Sequence, residues 1–180
     1  MVNRAAQWLI ALDGALLFSF LIVRFAGQLV WVKGGSMKNT LLNRDLLLVT
    51  KWGSYKRNEV VICRYPRRTR VEWTIGAAVT LTLHTLFVKR LVALPGDTVE
   101  IREGVLYVNE EAAPQPPEMG SAPRDFAPRK LGRNQYFVMG DNRASSHDSR
   151  AMDVGPLPGS MLQGHVKRVL WPVKRWKKVI

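Results

Sequence analysis

The chain has 180 residues, of which 47% are hydrophobic and 23% charged, and this composition excludes a disordered or a collagen-like protein. Its one cysteine, Cys63, excludes an intramolecular disulfide framework and a multi-cysteine zinc site. The three histidines lie far apart in the sequence, so we expect no metal centre and no cofactor. A net charge of +13 indicates an anionic partner, either a nucleic acid or the surface of a lipid bilayer.

The first segment, 5–23, is apolar apart from Gln7, Asp13 and Ser19, and it is just long enough to cross a bilayer as a helix. An Asp at mid-membrane costs roughly 2.5–3.5 kcal/mol, which the Leu, Ile, Phe and Val residues of the segment approximately offset. A cleaved signal peptide would end in small residues that this sequence lacks. We therefore predict a cytoplasmic tip and a retained membrane anchor over 1–25, with a buried core helix as the alternative.

After Val32, short runs rich in β-branched and aromatic residues alternate with turns, which predicts a mainly β domain over 26–180. The predicted strands are 46–50, 60–63, 71–88, 98–101, 105–108, 136–139 and 164–171. Gly76 to Ala78 interrupts the longest run, so we predict that 74–88 folds as a hairpin. Glu103-Gly104 predicts another hairpin turn, and the prolines of 112–128 predict a loop, so that 98–135 forms a hairpin and a Pro-rich excursion.

Three stretches carry residues that packing does not require. In the first, Gly34 and Gly35 precede Ser36, which suits an exposed nucleophile with a free neighbouring N–H, although a simple Gly-Ser turn would read the same way. In the second, Lys89 interrupts an apolar run. A lysine stripped of water has a lowered pKa and can act as a neutral base, whereas an edge-strand lysine would point to solvent.

The third stretch, 139–150, follows a predicted strand and holds Asp, Asn, Ser, His and Arg residues within a dozen positions. Such a segment is either a solvated turn or a buried network of carboxylates and guanidinium groups. The sequence of this stretch alone leaves both possibilities open.

Together, and in this order, the three stretches resemble the boxes of type I signal peptidases. The first box is matched by Ser36-Met37 with Thr40-Leu41, and the second by Lys89-Arg90 with the turn 94–97. The third box is matched almost position for position by Gly140, Asp141, Asn142, Arg143, Ser146, Asp148, Ser149 and Arg150. The three boxes in order, behind an apolar N-terminal segment, make the resemblance specific.

The resemblance implies a serine endopeptidase with a Ser–Lys dyad, in which Ser36 is the nucleophile and Lys89 the general base. It implies that Ser146 orients the Lys89 amine and that the Ser36 backbone N–H stabilises the oxyanion, while the second oxyanion donor stays open. The supporting salt bridges would be formed by Asp141, Asp148, Arg143 and Arg150. The substrate would bind as an added β-strand against Val32, Gly34, Met37, Leu41, Phe87 and Val88.

The resemblance further implies that the substrates are preprotein signal peptides, cleaved after small residues in an Ala-X-Ala pattern. It places the protein in the plasma membrane as a single-pass protein, with its catalytic domain outside the cytoplasm and the lipid bilayer as a partner. Nucleic acid is not expected as a partner, and a monomer is favoured. Asn39 departs from the family, since proline is usual there. Gly34 stands where some members carry a hydroxyl that completes the oxyanion hole and others carry glycine, so the second donor stays open. The insertion-like stretch 71–85 is also less typical, and its role is open.

Other interpretations stay open at this stage. Cys63 could serve a sortase-like transpeptidase, although its strand context is typical of an inert core thiol. His147 beside Asp148 could form a histidine relay. The basic, Trp-bearing segment 167–178 could belong to a nucleic-acid-binding protein or a self-cleaving Ser–Lys repressor. A catalytically inactive, membrane-tethered scaffold is the last alternative.

Overall fold

The computed structural model describes residues 3–25, 27–66, 70–75, 79–114 and 119–179. A helix, α1, spans Arg4–Phe25. In chain order the strands that follow it are β1 Gln28–Trp31, β2 Leu46–Thr50, β3 Val60–Cys63, β4 Arg70–Ile75, β5 Val79–His84, β6 Phe87–Ala93, β7 Thr98–Arg102, β8 Val105–Val108, β9 Glu111–Ala112, β10 Phe126–Lys130, β11 Gln135–Met139, β12 Leu157–Pro158, β13 Leu162–Trp171 and β14 Lys177–Lys178. The prediction of a mainly β domain is therefore confirmed.

The largest sheet has the strand order β1-β2-β13-β3-β6-β11-β12, with β14 paired to β13, and its neighbouring strands are antiparallel. Strand β6 lies inside this sheet between β3 and β11. Both faces of β6 are covered by packed side chains, so that successive residues are buried continuously from Lys89 to Ala93. This position decides the environment of Lys89.

A second antiparallel sheet has the order β10-β7-β8-β9 and forms the predicted excursion. The turn at Glu103 and Gly104 is confirmed, since both residues have positive φ, 50° and 77°, as a type I′ hairpin requires. Strands β4 and β5 form the other predicted hairpin, displaced toward the N-terminus because 87–93 pairs with the large sheet instead. The interrupting residues 76–78 lie outside the described residues.

Two local predictions are wrong. The loop predicted over 112–128 ends early, because Pro128 lies inside β10. The register of β10 against β7 shifts between Phe126 and Arg129, and this irregularity accommodates a residue that has no N–H to donate. Strand β1 was not predicted, since its four residues directly follow the apolar N-terminal segment.

The helix expected at the N-terminus is present as α1. Among the helical residues that the structure describes in full, no stretch combines the length and the apolar character needed to cross a bilayer.

The buried side chains form three clusters. One lies beneath β1, β2 and β13, one lies between the large sheet and the second sheet, and one lies around β3, β6 and β11. Phe137 on β11 belongs to the second cluster, is fully buried, and packs edge-on against Phe126 at a centroid distance of 5.3 Å. It therefore holds the excursion against the sheet that carries Lys89.

Replacing Phe137 with Ala should lower the free energy of unfolding by about 3–5 kcal/mol, because a large ring is lost from a packed site. Chemical denaturation monitored by circular dichroism measures this change. Leu29→Ala is the control: Leu29 is largely exposed, so the expected change is within about 0.5 kcal/mol. Equal losses in the two variants would contradict the assigned packing.

Candidate active site

Lys89 occupies the centre of β6, where it pairs with Val61 of β3. Only 2% of its surface is exposed. Its Nζ lies 3.0 Å from Ser146 Oγ. Burial lowers the pKa of the Lys89 amine, while the nearby Asp148 carboxylate opposes that shift. The alternative of a solvent-facing edge lysine is wrong, since the strand is internal and the amine is buried.

Ser36 lies in the loop between β1 and β2, and this loop is held against the third stretch. The Ser36 carbonyl accepts the backbone N–H of Asn142 at 3.0 Å, and the Gly35 carbonyl accepts the Asn142 side-chain amide at 3.1 Å. A Cβ on Gly140 would overlap Ser146 Oγ and lie 2.5 Å from the Ser36 carbonyl oxygen. Only glycine at 140 therefore lets the two serine-bearing segments approach this closely.

The structure thus brings Ser146 into contact with Lys89, and it brings the Ser36 backbone next to Gly140 in the same region. The hydrogen bond of Lys89 Nζ goes to Ser146 Oγ, and within the described part of the chain no hydrogen bond joins it to Ser36. Contacts between a nucleophile and its base commonly tighten only when a substrate is bound. The role of this pair in catalysis therefore stays a prediction at this point.

Asp141 connects all three stretches, and its partner corrects the predicted scaffold. Arg90 Nε and Nη2 each donate to a different Asp141 oxygen at 2.8 Å, and Thr40 Oγ1 donates to the same carboxylate. The bidentate partner of Asp141 is therefore Arg90, which directly follows Lys89 and was not among the four residues of the predicted scaffold. Both members of this pair are buried, and with the Thr40 hydroxyl the Asp141 carboxylate fixes β6 to the loop that carries Ser36.

Asp148 and Arg150, two members of the predicted scaffold, form an ion pair with each other. Arg150 Nε and Nη2 donate to the two Asp148 oxygens at 2.8 Å each, and Arg150 also donates to the carbonyls of Arg143 and Ser146. Burial alone would raise the pKa of the Asp148 carboxyl, but the bonds from Arg150 and the Gly140 N–H hold that pKa below its usual range. These contacts close the turn that carries Ser146.

Arg143 is buried, with its guanidinium against the sulfurs of Met139 and Met119. Burial lowers the pKa of this group. The third stretch is therefore a buried network and not a solvated turn.

A cleft of about 310 Å³ opens beside Ser36. Five of the six predicted substrate contacts line it, namely Val32, Gly34, Met37, Phe87 and Val88. The sixth, Leu41, is a correction: it is fully buried in the cluster beneath β1 and β2, because the turn 37–41 directs its side chain into the core. Gly34 has a φ of +93°, a backbone conformation that glycine adopts without strain.

The departure at Asn39 has a backbone explanation. Asn39 has a φ of 93°, in the left-handed region where asparagine is tolerated and proline, fixed near −65°, cannot sit. The loop after Ser36 therefore follows a course that the usual proline would not allow.

The structure argues against the two alternative catalytic systems, one based on Cys63 and the other on His147. Cys63 is fully buried in β3, and burial raises the pKa of its thiol to about 12, so it is a core residue and not a reactive thiolate. The His147 ring is exposed and contacts Asp153 at 3.0 Å rather than a serine. Within the described residues, no group of three or more His, Cys, Asp or Glu side chains could hold a metal ion.

Sequence reasoning missed two supporting residues. Arg90 was assigned no role, although its place next to Lys89 in a buried strand was a signal for an internal ion pair. Tyr65 stacks on Phe87 with ring centroids 4.1 Å apart and donates from its hydroxyl to the His147 carbonyl at 2.9 Å. It therefore links the wall of the cleft to the segment between Ser146 and Asp148, a contact that no local pattern indicates.

Comparison with known proteins identifies the class of this domain. The model of the family described as signal peptidase, peptidase S26, matches residues 5–171. Signal peptidase I P of Bacillus subtilis subsp. natto is 31% identical over 186 residues, which cover 96% of this chain and 91% of that protein. Signal peptidase I T of Bacillus subtilis (strain 168) is 31% identical over 190 residues, with 98% and 90% covered.

Among solved structures, a signal peptidase I of Enterococcus faecalis V583 aligns with a TM-score of 0.48 and 23% identity, over 63% of this chain and 97% of that one. The family match and the relatives show that the chain is a peptidase. It belongs to the signal peptidase family, peptidase S26.

Gly140→Ala should lower kcat/KM by about a hundredfold, because the added Cβ forces apart the Ser36 and Ser146 segments, and displacements near 1 Å have effects of this size. Peptide cleavage kinetics measure the loss. Gly132→Ala is the matched control, since its Cβ would meet only the flexible end of Gln135 at 3.3 Å. Normal activity in Gly140→Ala would show that the close approach is not needed.

Proposed function

We propose that this protein is a membrane-anchored signal peptidase I that cleaves signal peptides from exported preproteins with a Ser36–Lys89 dyad. The observation that carries the proposal is the buried Lys89 amine, whose pKa is lowered by burial and whose Nζ donates a hydrogen bond to Ser146 Oγ. A lysine in this environment is neutral at a lower pH than an exposed one, and it can then take a proton from a hydroxyl. Family membership supports the assignment.

In the proposed mechanism, Ser36 Oγ attacks the carbonyl carbon of the scissile bond while neutral Lys89 takes the hydroxyl proton. The tetrahedral oxyanion is stabilised by the Ser36 backbone N–H. Lys89 then gives its proton to the departing amine as the C–N bond breaks, which leaves an acyl ester on Ser36. Water attacks that ester with Lys89 again acting as the base, so that Ser36 and the free carboxyl terminus are released. Ser146 orients the amine throughout.

We further propose that the apolar cleft takes the signal-peptide side of the scissile bond. Its walls come from the end of β1, the Ser36 loop and the start of β6, which suits a chain bound in an extended conformation. The walls include Val32, Met37, Phe87 and Val88, so the cleft favours apolar side chains near Ser36. The resemblance to type I signal peptidases is the basis for expecting alanine-like residues in an Ala-X-Ala pattern.

The bilayer is the partner that we propose for the N-terminal segment, with 1–25 as the anchor and 26–180 outside the cytoplasm. The paired positions Leu29↔Leu48↔Arg168 and Trp31↔Leu46↔Trp171 place these side chains on one face of β1, β2 and β13. On that face Leu29, Trp31 and Trp171 are 60%, 55% and 53% exposed. Exposed Trp and Leu beside Arg168 fit an interface with anionic lipid headgroups.

A cleavage assay on an Ala-X-Ala preprotein tests the dyad. Ser36→Ala and Lys89→Ala should each lose more than about a thousandfold in kcat, since each removes a reacting group. His147→Ala and Lys130→Ala should stay close to wild type, because the His147 ring faces Asp153 and Lys130 is an exposed lysine on β10. Full activity in Lys89→Ala would overturn the mechanism, and an inactive wild type would favour a scaffold.

The pH dependence of the same assay gives an independent readout. The reaction needs neutral Lys89, so kcat/KM should rise as the pH increases through the Lys89 pKa. Burial lowers that pKa, and the rise should therefore be complete at a lower pH than for an ordinary lysine. A rise centred where exposed lysines titrate would contradict the assignment of Lys89 as a desolvated base.

Docking on lipid is tested by reconstituting the full chain in anionic vesicles that contain brominated acyl chains. Trp171→Phe should remove part of the quenching of tryptophan fluorescence, because Trp171 lies on the proposed lipid face. Trp52→Phe is the control, since Trp52 is equally exposed but follows the opposite end of β2. Identical quenching in both variants would place another surface against the bilayer.

A further inference from the structure

A second cleft lies on the other side of the catalytic centre. It has a volume of about 260 Å³ and is formed by 123–126 together with Arg143, Ala144, Ser146, Arg150 and Ala151. The apolar cleft described above touches Ser36, whereas this one touches Ser146. Since Lys89 Nζ contacts Ser146 Oγ and the Ser36 carbonyl adjoins Gly140, the two clefts flank one centre.

The two sides of a scissile bond need two different binding regions. When the carbonyl of the scissile bond lies at Ser36, the acyl part of the chain occupies one side and the amine part must leave by the other. The apolar cleft fits the acyl part, so the cleft beside Ser146 is the one that the amine part meets. A volume below the roughly 300–1,000 Å³ of small-molecule pockets suits side chains of an extended peptide.

The charge of this second cleft differs from that of the first. Arg124, Arg143 and Arg150 line it, against the single carboxylate of Asp125. The charge of Arg150 is balanced by Asp148, to which it is paired, whereas Arg143 is buried against sulfur atoms and adds a fixed positive charge to that of Arg124. Arg124 is exposed at the rim, where its guanidinium can meet a carboxylate in a bidentate contact.

We propose that this cleft is the binding region for the residues that follow the scissile bond, and that it favours acidic side chains there, with Arg124 as the specificity-determining residue. The inference rests on the proposed function, since it assigns the leaving side of the same reaction. It adds to that function a preference for acidic side chains, which the apolar walls of the first cleft cannot provide. The recognised group is a carboxylate within the first two residues of the released chain.

Three peptide substrates test the inference, identical except for Asp, Asn or Lys in the first two positions after the scissile bond. With the full-length protein in detergent at low salt, kcat/KM should fall from Asp to Asn by about fivefold, the upper range of an exposed ion pair, and further from Asn to Lys. Raising the salt to 0.5 M should shrink both differences, because salt screens exposed charges.

Arg124→Glu should abolish or reverse the order of the three kcat/KM values, because the replaced side chain repels the carboxylate and attracts the amine. Arg129→Glu is the matched control: Arg129 is an exposed arginine on β10 that does not line the cleft, so the order Asp, Asn, Lys should persist. Cleavage of all three peptides at one rate, or an unchanged preference in Arg124→Glu, would overturn the inference alone. Failure to cleave any of them would instead overturn the proposed function, and the inference with it.

Discussion

The site depends on one costly placement, an amine held without water in the interior strand of a sheet. Removing a cation from water costs far more than a typical side-chain contact returns, so a buried lysine is stable only where it can exist uncharged or meet compensating partners. Lys89 meets both requirements. Burial lowers the pKa of its amine, which favours the uncharged form, and Ser146 Oγ lies at hydrogen-bonding distance as a partner. The surrounding polar residues are explained by the need to hold this arrangement.

Two buried ion pairs provide that support, and each has a distinct geometric task. Asp141 binds Arg90 and Thr40 together, so it fixes the strand of Lys89 to the loop of Ser36. Asp148 binds Arg150 and the Gly140 N–H, so it closes the turn that presents Ser146. Neither carboxylate contacts the Lys89 amine directly, and the amine is therefore not locked into its charged form by a salt bridge. Buried pairs of this kind add positional specificity more than stability.

Features that depend on residues close together in the sequence were predictable, whereas features that depend on distant residues were not. Strands such as β2 and β7 and the turn at Glu103 were predictable, because alternation and turn residues are local signals. The pairing of Asp141 with Arg90 was not, since those residues are 51 positions apart and meet only through the pairing of β6 with β11. The motifs predicted the reacting residues only through resemblance. Leu41 was misplaced because Val32 and Met37, which share its core cluster, line the cleft while its own side chain does not.

Trp31 connects the proposed chemistry to the proposed location of the domain. It lies on the same face of β1, β2 and β13 as Leu46 and Trp171, and it also lines the apolar cleft beside Ser36. A lipid surface that contacts this face would therefore reach the entrance of the cleft. A signal peptide, which is itself apolar, would then pass from the bilayer into the cleft without crossing a wide aqueous gap. The same strand, β1, follows α1 after only two residues, so the end of α1 and the cleft stay close together.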